Sequence, residues 1–202
     1  MIEDPKGNLY GTTPYGGDLS CGTGFGCGVV FKLSSTGKET VLHTFKGGTD
    51  GAAPYAGVIR DDDGNLYGTT GQGGTSENGT VFEVSETGKE TVLHRFKAGA
   101  DGLAPSGANL FRDAKGNLYG STSVGGDLSC APNEGRGCGV VFKLSKAGEE
   151  TVLHSFKGEE DGQSPNGVIQ DTEGNLYGTA VYAGDMSCNG GAGCGVVFKL
   201  TP

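Results

Sequence analysis

Three sets of residues in this chain could do chemistry: paired cysteines, one histidine in each of three repeated segments, and one aspartate shortly after each histidine. The cysteines are Cys21/Cys27, Cys130/Cys138 and Cys188/Cys194. Zinc sites bring Cys-x2–4-Cys sets together with further ligands, and the spacings here are longer. The equivalent stretch of the second copy, residues 71–78, has no cysteine at all. Two cysteines per loop, absent together from one loop, point to disulfides within each loop. Disulfides in turn imply an oxidising compartment, extracellular or periplasmic.

His43, His94 and His154 each sit in Leu-His-x-Phe. They could ring a channel and hold a metal only if their strand were innermost. Simple alternation instead places His43 with Val41 and Phe45 on an apolar face. Asp50, Asp101 and Asp161 each precede a glycine, with proline three residues beyond it. Asp-Gly-x-x-Pro reads first as a turn. Its functional reading is a set of carboxylates at a channel mouth, holding calcium or a polar ligand through oxygen. The dense acidic spacing of a dedicated calcium loop is missing.

Tyr10, Tyr67, Tyr119 and Tyr177 recur in every copy and read as packing. Tyr15, Tyr55 and Tyr182 occur only in some copies and fall in loops, so they are the better ligand contacts. No nucleophile elbow, zinc-protease helix or phosphate-binding glycine loop is present, and no cofactor motif. No catalytic residue is assigned. A net charge of −9 argues against nucleic acid, whose phosphates need clustered Lys and Arg. No apolar run reaches the length of a transmembrane helix. No export signal is visible, and Met1 enters in the middle of a repeat, as in a piece of a longer array.

The elements that must position these residues come from a repeat. Gly-Asn-Leu-Tyr-Gly occurs at residues 7–11, 64–68, 116–120 and 174–178. The copies span approximately 1–56, 57–107, 108–166 and 167–202, the last one truncated. Within a copy, Asp-x-x-Gly and Thr-Gly turns separate short β-branched and aromatic runs, and the pattern predicts four antiparallel strands. A unit of this size buries little alone, so copies must stack. Both strand faces carry apolar groups, as with Val29 and Phe31 against Val30, which suits a blade covered on both sides. The prediction is therefore all-β: a single β-propeller domain over residues 1–202, with a β-solenoid as the weaker fit. A closed four-bladed ring is favoured, the first-repeat strands completing a blade with the C-terminal strand. Half of a dimeric eight-bladed ring is the alternative. The cysteine loops and the Asp-Gly-x-x-Pro loops are expected on one face, where variable loops on a rigid scaffold would bind.

The strings Gly-Val-Val-Phe-Lys-Leu-Ser, Gly-Lys-Glu-Thr-Val-Leu-His-Thr-Phe and Gly-Asn-Leu-Tyr-Gly-Thr-Thr resemble the GloVer tandem repeats of bacterial exported and cell-surface proteins. The resemblance covers essentially the whole chain. It implies a repeat-built extracellular protein of propeller type and brings no catalytic residues. The expected function is a cell-surface module binding a glycan or protein partner, or playing a structural part there. The alternative is a hydrolase or lyase acting on extracellular polymers at the channel mouth.

Overall fold

The structure is a computed structural model. It describes residues 1–22, 24–105, 107, 109–130 and 135–202. The chain divides into two compact units, Met1–Phe96 and Lys97–Pro202.

The first unit holds two four-stranded antiparallel sheets. One is built from β1 (Ile2–Glu3), β2 (Leu9–Thr13), β3 (Val29–Leu33) and β4 (Glu39–Thr44), in that order. The other is built from β5 (Ile59–Arg60), β6 (Leu66–Thr70), β7 (Thr80–Val84) and β8 (Glu90–Arg95). The second unit repeats the plan with β9 (Phe111–Arg112), β10 (Leu118–Thr122), β11 (Val140–Leu144) and β12 (Glu150–Ser155). Its last sheet has three strands, β13 (Gln163–Gln170), β14 (Leu176–Tyr182) and β15 (Val196–Leu200). The C-terminal strand β15 is an edge, and β1 pairs with β2.

Each first hairpin is closed by one carboxylate. Asp4 accepts from the Asn8 backbone N–H and side-chain amide, each at 2.9 Å, and from the Tyr10 hydroxyl at 3.0 Å. Asp61, Asp113 and Asp171 bond their own Asn and Tyr in the same way. The recurrent tyrosines are thus hairpin braces. The glycine that directly follows each of these tyrosines has a different duty: a Cβ on Gly68 would lie 2.6 Å from the Phe82 ring. Gly11 and Gly120 are packed in the same way against Phe31 and Phe142.

One expectation about side-chain direction is corrected. The third and fourth strands carry a β-bulge, so Val30 opposes His43 while Phe31 opposes Val41. The extra residue reverses the alternation, and His43 does not share a face with Val41. The same shift recurs at Val81/Phe82 and Val141/Phe142. Between the sheets of the first unit, Val30, Phe45, Val58, Leu66, Phe82 and Val84 form one core with the Cys21–Cys27 pair. In the second unit Val141, Phe156, Val168 and Leu176 do so with Cys130 and Cys138.

Candidate functional site

Three loops of the first unit bring aromatic side chains together. Tyr15 follows β2, Phe25 lies inside the Cys21–Cys27 loop, and Tyr55 follows Pro54 of the Asp-Gly-x-x-Pro loop. The Tyr15 ring centroid is 6.3 Å from that of Phe25 and 6.5 Å from that of Tyr55, the latter edge-on at 89°. The two hydroxyls are 3.5 Å apart. All three rings face solvent, at 55%, 70% and 49% exposure. The hydrogen bond to Tyr15, and then burial, push the Tyr55 hydroxyl above its ordinary pKa.

The loops are fixed from below. Cys21 and Cys27 are bonded, with Cα atoms 5.6 Å apart, within the usual range for a disulfide. The Gly16 N–H donates to the Phe25 carbonyl at 2.7 Å, and the Thr13 hydroxyl to the Tyr15 carbonyl at 2.7 Å. The Ala53 N–H donates to the Cys27 carbonyl at 2.9 Å, tying the inter-repeat loop to the disulfide loop. Ala53 holds a left-handed backbone (φ 55), a strained conformation for a residue with a Cβ. Cys130 with Cys138 and Cys188 with Cys194 are bonded likewise. The cysteine-free loop of the second copy is held instead by backbone bonds such as Gly79 N–H to the Gly73 carbonyl, 2.9 Å.

The histidines and aspartates, read separately in the sequence, are one unit. Asp50 caps its own loop by accepting from the Lys46 N–H at 2.7 Å and lies 3.3 Å from His43 Nε2. Asp161 accepts from the Lys157 N–H at 2.9 Å and lies 3.0 Å from His154 Nε2. Asp101 accepts from the Lys97 N–H at 2.6 Å. These contacts are those of a turn brace. Beside His43 and Asp50 stands Glu90, the first residue of β8, with the three donor atoms within 4.8 Å of one another. Such a nitrogen and two oxygens could hold a divalent cation. Burial first, and the Asp50 charge second, push the Glu90 carboxyl up to about 7. Glu150 is pushed up to about 7 by burial and by Asp101.

Tyr15 and Tyr55 are therefore brought together, whereas Tyr182 ends β14 in the second unit, 42% exposed. Phe25 and Glu90 were missed by sequence reasoning. Phe25 is peculiar to one copy, which is the signal that could have singled it out. Glu90 recurs in every fourth strand and carried no such signal. The second unit also holds two open grooves. One, of about 470 Å³, runs along β13–β15 beside Asn166, Ile169, Tyr177 and Val197. The other, of about 750 Å³, lies among the tight turns beside Asp113, Lys143, Asp171 and Pro202.

These features define an all-β, propeller-like repeat protein braced by disulfides. The chain belongs to the Gloeobacter/Verrucomicrobia repeat family, whose sequence model matches residues 1–202. No curated protein matches it in sequence. Among solved structures it is similar to a luciferin-regenerating enzyme, with 17% identity and a TM-score of 0.54 over 99% of this chain. It is also similar to a candidate 6-phosphogluconolactonase from Bacteroides uniformis, with 15% identity and a TM-score of 0.50 over 96% of this chain. The chain spans 59% and 55% of those two structures, and at these identities the likeness is one of fold.

Proposed function

We propose that this chain is an extracellular or periplasmic binding module that takes a glycan on the Tyr15–Phe25–Tyr55 patch. The observation that carries the reading is three exposed rings, Tyr15 in contact with both Phe25 and Tyr55, on loops tied by a disulfide. Flat apolar faces edged by hydroxyls stack on sugar rings and hydrogen-bond their rims. The disulfide and the Ala53–Cys27 bond hold the loops before any ligand arrives, so little entropy is lost on binding. Three disulfides suit an oxidising compartment. Among the described residues no helix is long and apolar enough to cross a membrane.

A second reading, an enzyme acting on extracellular polymers, draws on one observation. His43, Asp50 and Glu90 form an acid–base group in which Glu90 titrates near neutrality, as a proton donor to a leaving group would. It stands beside an outer edge strand, and neither groove of the second unit is lined by it. Closure of the four repeats into one ring, or into a dimeric eight-bladed ring, is part of the same proposal. A strict monomer by mass in solution eliminates the dimer.

The test is a glycan-array and polysaccharide-hydrolysis screen on one sample, with and without calcium. Saturable binding without turnover supports the module. Turnover that Glu90→Gln abolishes supports the enzyme. A calcium-dependent signal lost on substituting Asp50, Asp101 or Asp161 would return those carboxylates to ligand duty.

A further inference from the structure

Two buried polar atoms of the first unit, His43 Nε2 and Glu90 Oε1, make no hydrogen bond. Both residues belong to the group in which one donor atom each from His43, Asp50 and Glu90 lies within 4.8 Å of the others. Buried polar atoms are almost always satisfied, so two orphans in one corner call for a partner. The turn brace does not supply it. At His154 the brace is complete, with Nε2 bonding both oxygens of Asp161 at 3.0 and 3.1 Å. At His43 the Asp50 Oδ1 stands 3.3 Å away and is not aligned to form a hydrogen bond.

Three separate segments present these atoms. His43 lies near the end of β4, its ring edge-on to that of Phe45 at 4.8 Å and 81°. Asp50 lies in the inter-repeat loop, where Oδ2 accepts from the Lys46 N–H at 2.7 Å and Oδ1 is left to face His43. Glu90 opens β8, and Arg95 of the same strand donates through Nε to the Thr49 carbonyl at 3.3 Å, which holds the loop against that strand. Among the described residues no lysine or arginine forms an ion pair with Asp50 or Glu90. Two carboxylates and an imidazole nitrogen therefore share one partly buried corner with no cation paired to them.

We propose that this corner is a site for a zinc-class divalent cation, held by His43, Asp50 and Glu90 and clamping the fourth strands of the first two sheets. Tetrahedral ligands 2.0–2.1 Å from zinc stand about 3.3 Å from one another. That is the separation of His43 Nε2 and Asp50 Oδ1. A swing of the Glu90 side chain completes the set, and water takes the fourth position. The Lys46 N–H orients the Asp50 carboxylate from outside, as supporting hydrogen bonds do around metal ligands. An imidazole suits zinc, nickel or copper, whereas calcium takes six to eight oxygens, more than this corner offers. All six cysteines are paired, so no thiolate competes for the ion. Zinc binding and the proton-donor use of Glu90 are alternatives, because a metal-bound carboxylate has no proton to give. The sugar reading of the aromatic patch uses none of these residues and stands or falls separately.

The probe is zinc chloride, titrated by calorimetry into EDTA-treated protein with its disulfides intact, with thermal melts of the same samples. The expected result is saturable binding and a melting temperature about 5–10 °C higher at zinc a hundredfold above its dissociation constant. Glu90→Gln and His43→Gln, both close in size to the native side chains, should each remove one ion per chain or weaken its binding at least roughly tenfold. Asp63→Asn, in an exposed turn of the same unit, should bind zinc as the native chain does. Calcium should bind more weakly than zinc. No binding at millimolar zinc would overturn the proposal. So would equal uptake by the native chain and both site variants, or calcium bound as tightly as zinc.

Discussion

Glu90 carries its carboxyl into a partly buried corner against Asp50, and this has a consequence for stability. Its pKa rises from 4.5 to about 7 on folding, so the folded chain holds a proton that the unfolded chain releases. Stability from this group is complete below about pH 4.5 and is lost as pH climbs through about 7. Glu90→Gln keeps the shape and removes the titration. Thermal melts across that window should show a shallower decline for the variant, which becomes the more stable chain above about pH 7. Parallel curves would remove the buried-acid account. At this scale the sequence was partly legible. The cysteine pairs were, because pairing within a loop is local. The seven-residue step from His43 to Asp50 was not, because a hydrogen bond across a loop depends on where the chain turns.

At the scale of the element, the recurring glycine of Gly-Asn-Leu-Tyr-Gly is a packing device. Gly68 has no left-handed backbone to maintain, so its requirement is steric: the Phe82 ring fills the space of its missing side chain, and Val58 Cγ1 lies 3.2 Å from the same point. Gly68→Ala should destabilise by about 1–3 kcal/mol, the usual cost of overpacking. Combining it with Phe82→Leu should cost less than the two single changes summed, because the smaller side chain frees the room the methyl needs. Strict additivity in denaturant melts would contradict the contact. The hairpins themselves were readable, since Asp-x-x-Gly turns and β-branched runs are short-range signals. The bulge was not. It is set by how two strands meet, and one inserted residue at Leu42 was enough to turn His43 away from Val41.

At the scale of the whole chain, repetition supplies the scaffold and the departures from it supply the candidate functions. Every copy carries the Asp–Asn–Tyr brace, and those tyrosines are hairpin struts. Tyr15, Phe25 and Tyr55 belong to the loops that vary, and they meet over a disulfide. Criteria based on differences between copies found Tyr15 and Tyr55, and also Tyr182, which lies in the other unit. The central claim is that the aromatic patch binds sugar. The most direct measurement is a binding titration of the intact protein and of a Tyr15→Ala/Tyr55→Ala variant against a panel of neutral oligosaccharides, with melting temperature as the control. The claim predicts affinity roughly 5- to 150-fold weaker in the variant at an unchanged melting temperature, from the loss of two stacking rings worth about 0.5–1.5 kcal/mol each. Equal affinity of the two proteins for every oligosaccharide they bind would contradict it.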